Sequence, residues 1–207
     1  MQDLIASIGV AWAGTSQLEI VSVVFGLVYV VLAARENIWC WPAAFIGTGT
    51  AVFLFWDASL VMESVLNVYY LAMAIFGWWQ WRAGGHNNSG LLISSWKGRQ
   101  HLIAISLISV LTLVSGYLLS TRSAAALPYV DSFTTWSAVI TTWMVARKIL
   151  QNWLYWIVID LVAMWLFSER GLYLYALLFL LYSLIAVIGH FQWNKKYLRQ
   201  QKSRYAR

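Results

Sequence analysis

An aspartate set in an otherwise apolar run is the residue best placed to do chemistry in this 207-residue chain. Asp160 follows Trp156-Ile-Val-Ile, so on a helix the indole and the carboxylate lie one turn apart on a single face. A carboxylate at the centre of a bilayer costs about 2.5–3.5 kcal/mol on insertion scales, and such residues usually face a cavity or a partner. An aromatic face beside a hydrogen-bond acceptor suits a flat ligand that carries hydroxyls and a positive charge. The plainer reading is a carboxyl, protonated or hydrogen-bonded to a neighbouring helix, that only holds helices together. Both readings stand at this stage.

A second stripe is formed by Glu63, Asn67 and Tyr70, spaced four and three apart and therefore on one helix face. Asn67 brings two donors and an acceptor, a match for an amide or for ribose hydroxyls. Glu63 falls nearer the outer end of its segment, where water could simply solvate it. The histidines His86, His101 and His190 fall in loops or at helix ends and do not cluster. The single cysteine, Cys40, excludes an internal disulfide and points to no metal site. Nucleophile elbow, zinc-binding histidine pair and phosphate-cradling glycine loop are all missing from the sequence. The chain is therefore predicted to have no catalytic residues, no metal and no cofactor. It reads as neither an enzyme nor, by itself, an ATP-driven pump.

The elements that must position these residues follow from composition. The chain is 61% hydrophobic and 11% charged, with a mean hydropathy of +0.66. A soluble domain carries roughly 25% charged residues, and this much apolar surface has only lipid as its natural solvent. Seven apolar segments are bounded by charges or turn formers: 18–34, 39–56, 60–80, 101–120, 130–147, 153–168 and 171–192. Pro42 and Pro128 sit in first turns, where a missing N–H costs nothing. The fold class expected is all-α integral membrane, with seven transmembrane helices. Residues 1–17 precede them as a short amphipathic segment without the basic start of a signal peptide.

Charge gives the orientation. With the C-terminus in the cytoplasm, twelve of the fourteen basic residues lie inside: Arg35, Arg82, Lys97, Arg99, Arg147, Lys148 and the six of the 195–207 tail. Only Arg122 and Arg170 lie outside, so the positive-inside rule places the N-terminus on the outer side of the membrane. The basic tail is then a topology anchor on the lipid surface, and nucleic acid is not an expected partner.

The chain also repeats itself. Gly77-Trp78-Trp79-Gln80-Trp81 returns 112 residues later as Gly189-His190-Phe191-Gln192-Trp193, and Ala34-Arg35 returns as Ala146-Arg147. Asn37 and Trp41 are read against Asn152 and Trp156, a shift of 115 that implies a three-residue insertion after Arg147. Two parallel triple-helix repeats, 18–82 and 130–194, are thus joined by a loop and linker helix over 83–129, a 3+1+3 arrangement. The alignment sets Trp41 opposite Trp156, Asn37 opposite Asn152, and Tyr70 opposite Tyr182. Two Trp and two Tyr could line one cavity between the halves, with ordinary helix packing as the alternative for the tyrosines. Trp78, Trp79, Trp81 and Trp193 read as interfacial anchors, or secondly as a gate. The loop from Arg82 to Gln100 reads as a flexible joint. Gly47-Thr48-Gly49-Thr50-Ala51 offers a small-residue face for close helix contact. Thr134, Thr135, Thr141 and Thr142 either reach the cavity or bond back to their own helix.

The blocks Asn37-Ile-Trp39-Cys-Trp41-Pro42 and Gly77 to Trp81 resemble the first half of the bacterial nicotinamide riboside transporter (PnuC) family. The second half is more similar still, through Asp131-Ser132, Ala146 to Trp156, Asp160, Gly171-Leu-Tyr173 and Gly189 to Trp193. This resemblance, over roughly residues 18 to 195, implies a SWEET-like fold and facilitated diffusion of a vitamin-like nucleoside, trapped afterwards by phosphorylation without a coupling ion. It implies nicotinamide riboside as the small-molecule partner, with thiamine, riboflavin or deoxynucleosides as alternatives. The expected binding set is Trp41, Glu63, Asn67, Tyr70, Asn152, Trp156, Asp160 and Tyr182. A homo-oligomer is compatible with the sequence, which does not fix the oligomeric state.

Overall fold

Each expected apolar segment becomes a helix, because backbone polar groups surrounded by hydrocarbon can be satisfied only within the segment itself. The computed structural model describes residues 16–57, 61–85, 90–122, 127–169 and 171–205, so the expectation for residues 1–15 lies outside them. The helices are α1 (Gln17–Ala34), α2 (Cys40–Asp57), α3 (Val61–Ala83), α4 (Gly98–Arg122), α5 (Pro128–Ala146), α6 (Asn152–Glu169) and α7 (Tyr173–Tyr205). Ser16 and Glu19 form a reciprocal capping box that opens α1, and Pro128 opens α5 at a position where no N–H is needed.

α1, α4 and α7 are each long and apolar enough to cross a membrane, with mean hydropathies of 2.1, 2.3 and 2.1. The buried residues of α2, α5 and α6 include Trp41 and Gly47, Ser137 and Thr141, and Asn152 and Asp160.

α1 packs on α2 and α2 on α3; α5 packs on α6 and α6 on α7. Contacts across the molecule run from α1 to α7 and from α3 to α5, so exchanging the two sets of three helices exchanges these two crossings. α4 lies against α5, where the Trp136 indole donates to Ser115 Oγ at 3.0 Å.

Three expectations change. The last helix does not stop near 192 but runs on through the basic tail to Tyr205, since that tail lacks any Gly or Pro to break it. The loop before α4 is no free joint over its second half. Ser94 donates to Lys148 O at 2.9 Å and accepts from Leu150 N at 2.8 Å, with Ile93 buried beside it. The Trp96 N–H adds a bond to Gln151 Oε1 at 3.0 Å, and the stretch around His86 lies outside the described residues.

The third change is the register of the repeat: the structure needs no insertion. α1 and α5 end in the same turn, 112 residues apart. Glu36 N donates to Ala33 O and Asn37 N to Leu32 O, each at 2.9 Å; Lys148 N donates to Val145 O at 3.0 Å and Ile149 N to Met144 O at 2.9 Å. A Cβ on Gly77 would stand 2.3 Å from the Trp41 ring, and one on Gly189 would stand 2.9 Å from the Trp153 ring. Trp41 therefore corresponds to Trp153, not to Trp156, and Asn152 corresponds to Cys40.

Interiors this close have no room for one more methyl. Gly77→Ala is expected to destabilise the protein by about 1–3 kcal/mol and to lower its melting temperature in detergent. Gly98→Ala, where a Cβ meets nothing within 4 Å, is the control. Equal melting of the two variants would mean that Trp41 is not locked against α3.

Candidate functional site

The eight expected site residues fall at different levels of the fold. At the level where the basic loops gather, Trp41 and Trp153 are each 1% exposed. Trp41 meets Trp81 edge-on at 5.5 Å and 89°, Trp81 meets Trp193 at 5.8 Å, and Trp193 meets Trp153 edge-on at 5.4 Å and 86°. The outer two rings belong to α2 and α6, the inner two to α3 and α7. The Trp81 indole donates to Val145 O at 3.2 Å and the Trp193 indole to Ala33 O at 3.0 Å.

These acceptors lie in the last turns of α5 and α1, where each carbonyl also accepts a backbone N–H, from Lys148 and Glu36 respectively. Trp81 and Trp193 are thus buried at 5% and 0% and join the halves rather than anchoring at headgroups. Trp79, 59% exposed, keeps the placement expected of an anchor. Asn152 also belongs to this level. It is fully buried, its amide donates to Ile149 O at 2.7 Å, and its Oδ1 has no protein partner.

About two helical turns deeper lies the level of Asp160. The carboxylate is 4% exposed, and Tyr182 of α7 stands within electrostatic reach of it. The Tyr182 hydroxyl crosses to α1, where a Cβ on Gly26 would stand 3.2 Å from it. On the other side Tyr70 packs against Tyr69 at 5.5 Å. The Tyr69 hydroxyl donates to Val139 O of α5 at 2.8 Å. Trp156 packs against the buried core from the side of α6. Tyr182 is thus the neighbour of Asp160 and reaches α1, Tyr70 lies with Tyr69, and Trp156 packs against the core from α6.

Glu63 and Asn67 are placed apart from that group. Glu63 is exposed in the first turn of α3, and its backbone carbonyl accepts the Asn67 amide at 2.9 Å. Of the threonines, Thr134 and Thr142 bond back to their own helix, whereas Thr141 is fully buried without a hydrogen-bond partner.

Sequence reasoning overlooked Tyr29, which sits 6.0 Å from Trp41 and close to Cys40 and Tyr70. The 112-residue register could have found it. That register sets Tyr29 against Thr141, Ala44 against Trp156 and Thr48 against Asp160. Bulk carried by the first helix in one half is carried by the second helix in the other, and only one half supplies an acid.

An all-helical membrane transporter is the class this arrangement defines. The fold matches the crystal structure of the Vitamin B3 transporter PnuC with a TM-score of 0.71 at 22% identity, covering 94% of this chain and 88% of that one. The chain belongs to the family described as nicotinamide mononucleotide transporter, which it matches over residues 16–195. It is 24% identical to the nicotinamide riboside transporter PnuC of Escherichia coli, over 93% of this chain and 92% of that protein. It is 26% identical to the protein of that name from Haemophilus influenzae, over 87% and 80%. It is 22% identical to the riboflavin/roseoflavin transporter RibM of Streptomyces davaonensis, over 84% and 83%.

The Tyr69 bond is one of the polar ties between the halves. Tyr69→Phe is expected to destabilise by about 0.5–1.5 kcal/mol, the usual worth of one such bond. Thermal unfolding in detergent measures it against Tyr117→Phe, whose ring is 62% exposed. No difference between the two would remove the Tyr69 hydroxyl from the account of how the halves adhere.

Proposed function

We propose that this protein carries nicotinamide riboside across the bacterial inner membrane by facilitated diffusion. All seven helices cross in the 3+1+3, SWEET-like arrangement, with the C-terminus in the cytoplasm. Two parallel triple-helix bundles rock about a site between them. The observation that carries this reading is the buried Asp160 with Tyr182 beside it, reaching towards α1, in a chain that belongs to this transporter family.

The Trp156 ring stacks on the pyridinium, and the Asp160 carboxylate accepts from ribose hydroxyls while offsetting the ring charge. Tyr70 and Tyr182 close the site from opposite halves. Trp41 and Asn152 form its floor, sealed by the indole layer in this state, and Glu63 and Asn67 line the approach from the opposite end. Water is excluded there, so an analogue lacking a hydroxyl leaves a buried polar group unpaired and is rejected strongly. The second reading, riboflavin as cargo, is favoured by the similarity to RibM.

The test is binding by the detergent-purified protein, with nicotinamide riboside, thiamine, riboflavin and deoxynucleosides offered in turn. Nicotinamide riboside is expected to bind best. Trp156→Ala and Asp160→Ala are each expected to cut uptake at least about tenfold, the loss that follows from about 1.4 kcal/mol of binding energy, with membrane insertion unchanged. Unchanged uptake by both variants would overturn the site, and preference for riboflavin would overturn the choice of cargo.

A further inference from the structure

The end of the molecule closed by the indole layer also holds an ion pair between the two halves. Lys148 Nζ lies 2.7 Å from Glu36 Oε1, with the two side chains only 9% and 13% exposed. Lys196 of α7 reaches the other carboxylate oxygen at 3.0 Å. The Lys148 ammonium also lies 4.5 Å from the centre of a Trp81 ring. Glu36 and Lys148 are 112 residues apart, so the same position of each repeat supplies the acid in one half and the base in the other.

The backbone at both positions is unusual. Each residue directly follows the C-cap of its helix, α1 or α5, in a turn closed by paired bonds back into the last helical turn. Glycine is favoured there, because φ is positive. Glu36 has φ of 59° and Lys148 φ of 49°, a conformation that a side chain with a Cβ adopts only at a cost. Two glycines would relax both turns. The charged side chains occupy a strained position in each half and meet each other between them.

We propose that Glu36 and Lys148 form a latch that holds the two halves together at this end and must part when that end opens. The latch rests on the rocking motion proposed above, of which it is the release point. Trp81 shields the lysine from solvent while the pair is closed. Lys196 holds the carboxylate in place, and its own image in the repeat is Gly84, so the latch has a third member on one side only. Separating the halves leaves two poorly solvated charges, an outcome disfavoured unless water enters between them.

Arg35 and Arg147 are exposed, flank the pair and are images of each other, so they can carry spin labels. The experiment labels Arg35→Cys and Arg147→Cys in the full chain in lipid nanodiscs and reads their separation by pulsed electron paramagnetic resonance. The buried Cys40 remains unlabelled. One short separation is expected to dominate with the latch intact. Lys148→Glu, or Lys148→Met should the first variant fail to insert, is expected to raise the population at the longer separation on the order of tenfold.

Exchange of the two charges, Glu36→Lys with Lys148→Glu in a Lys196→Gln background, is expected to restore the short separation. Identical distance distributions in all variants would overturn the latch and leave a fixed staple. Failure of the exchanged pair to recover the short distance would overturn it as well. Nicotinamide riboside added to the same samples separates the two proposals. Distances that move without ligand binding sink the cargo reading and support the latch; ligand binding without movement sinks the latch alone.

Discussion

Two buried indoles, Trp81 and Trp193, whose N–H groups find carbonyls across the molecule, organise this structure. Lipid tails are as apolar as leucine, so no hydrophobic force draws two helical bundles together within a bilayer. What remains is close packing and polar pairing, and Trp81 and Trp193 supply both. Each ring fills the space between halves, and each N–H reaches a carbonyl in the last turn of the opposite half's first helix. Each of those carbonyls already accepts a backbone N–H in its own turn and takes the indole on its second lone pair.

Several other features follow from that junction. Gly77 and Gly189 are bare of a Cβ because Trp41 and Trp153 press on them, and these outer rings set the angle of the inner two. The turns after α1 and α5 must present their carbonyls inward, which brings Glu36 and Lys148 face to face. The Ser94 segment docks onto the second of those turns, and Trp96 with His101 and Tyr155 ties the start of α4 to α6. Distal to this layer the contacts grow sparser, with Tyr69 and Tyr182 reaching across singly.

A duplicated scaffold would by itself give a symmetric site, suited to a symmetric ligand. This chain breaks the symmetry by exchange of bulk and charge between equivalent positions. Tyr29 and Ala44 in one half stand where Thr141 and Trp156 stand in the other, and Thr48 stands where Asp160 does. The packing volume is roughly conserved, as a close-packed interior requires, but the aromatic face and the acid come to lie together on one side.

The sequence by itself determined the number and approximate bounds of the helices, the existence of a repeat and the candidacy of Asp160, Trp156 and the tyrosine pair. Each of these is local: an apolar run long enough for a helix, a recurring Gly–Trp spacing, a charge in the wrong solvent. Tertiary structure alone decided the register of the repeat, because matching Asn with Asn and Trp with Trp favours a shift of 115, whereas the ring that presses on each glycine obeys 112. It also decided that Trp81, Trp193 and Asn152 are buried and that Glu36 meets Lys148. An indole at a helix end looks the same in sequence whether its acceptor is a headgroup or a carbonyl 160 residues away. Only the folded chain says which.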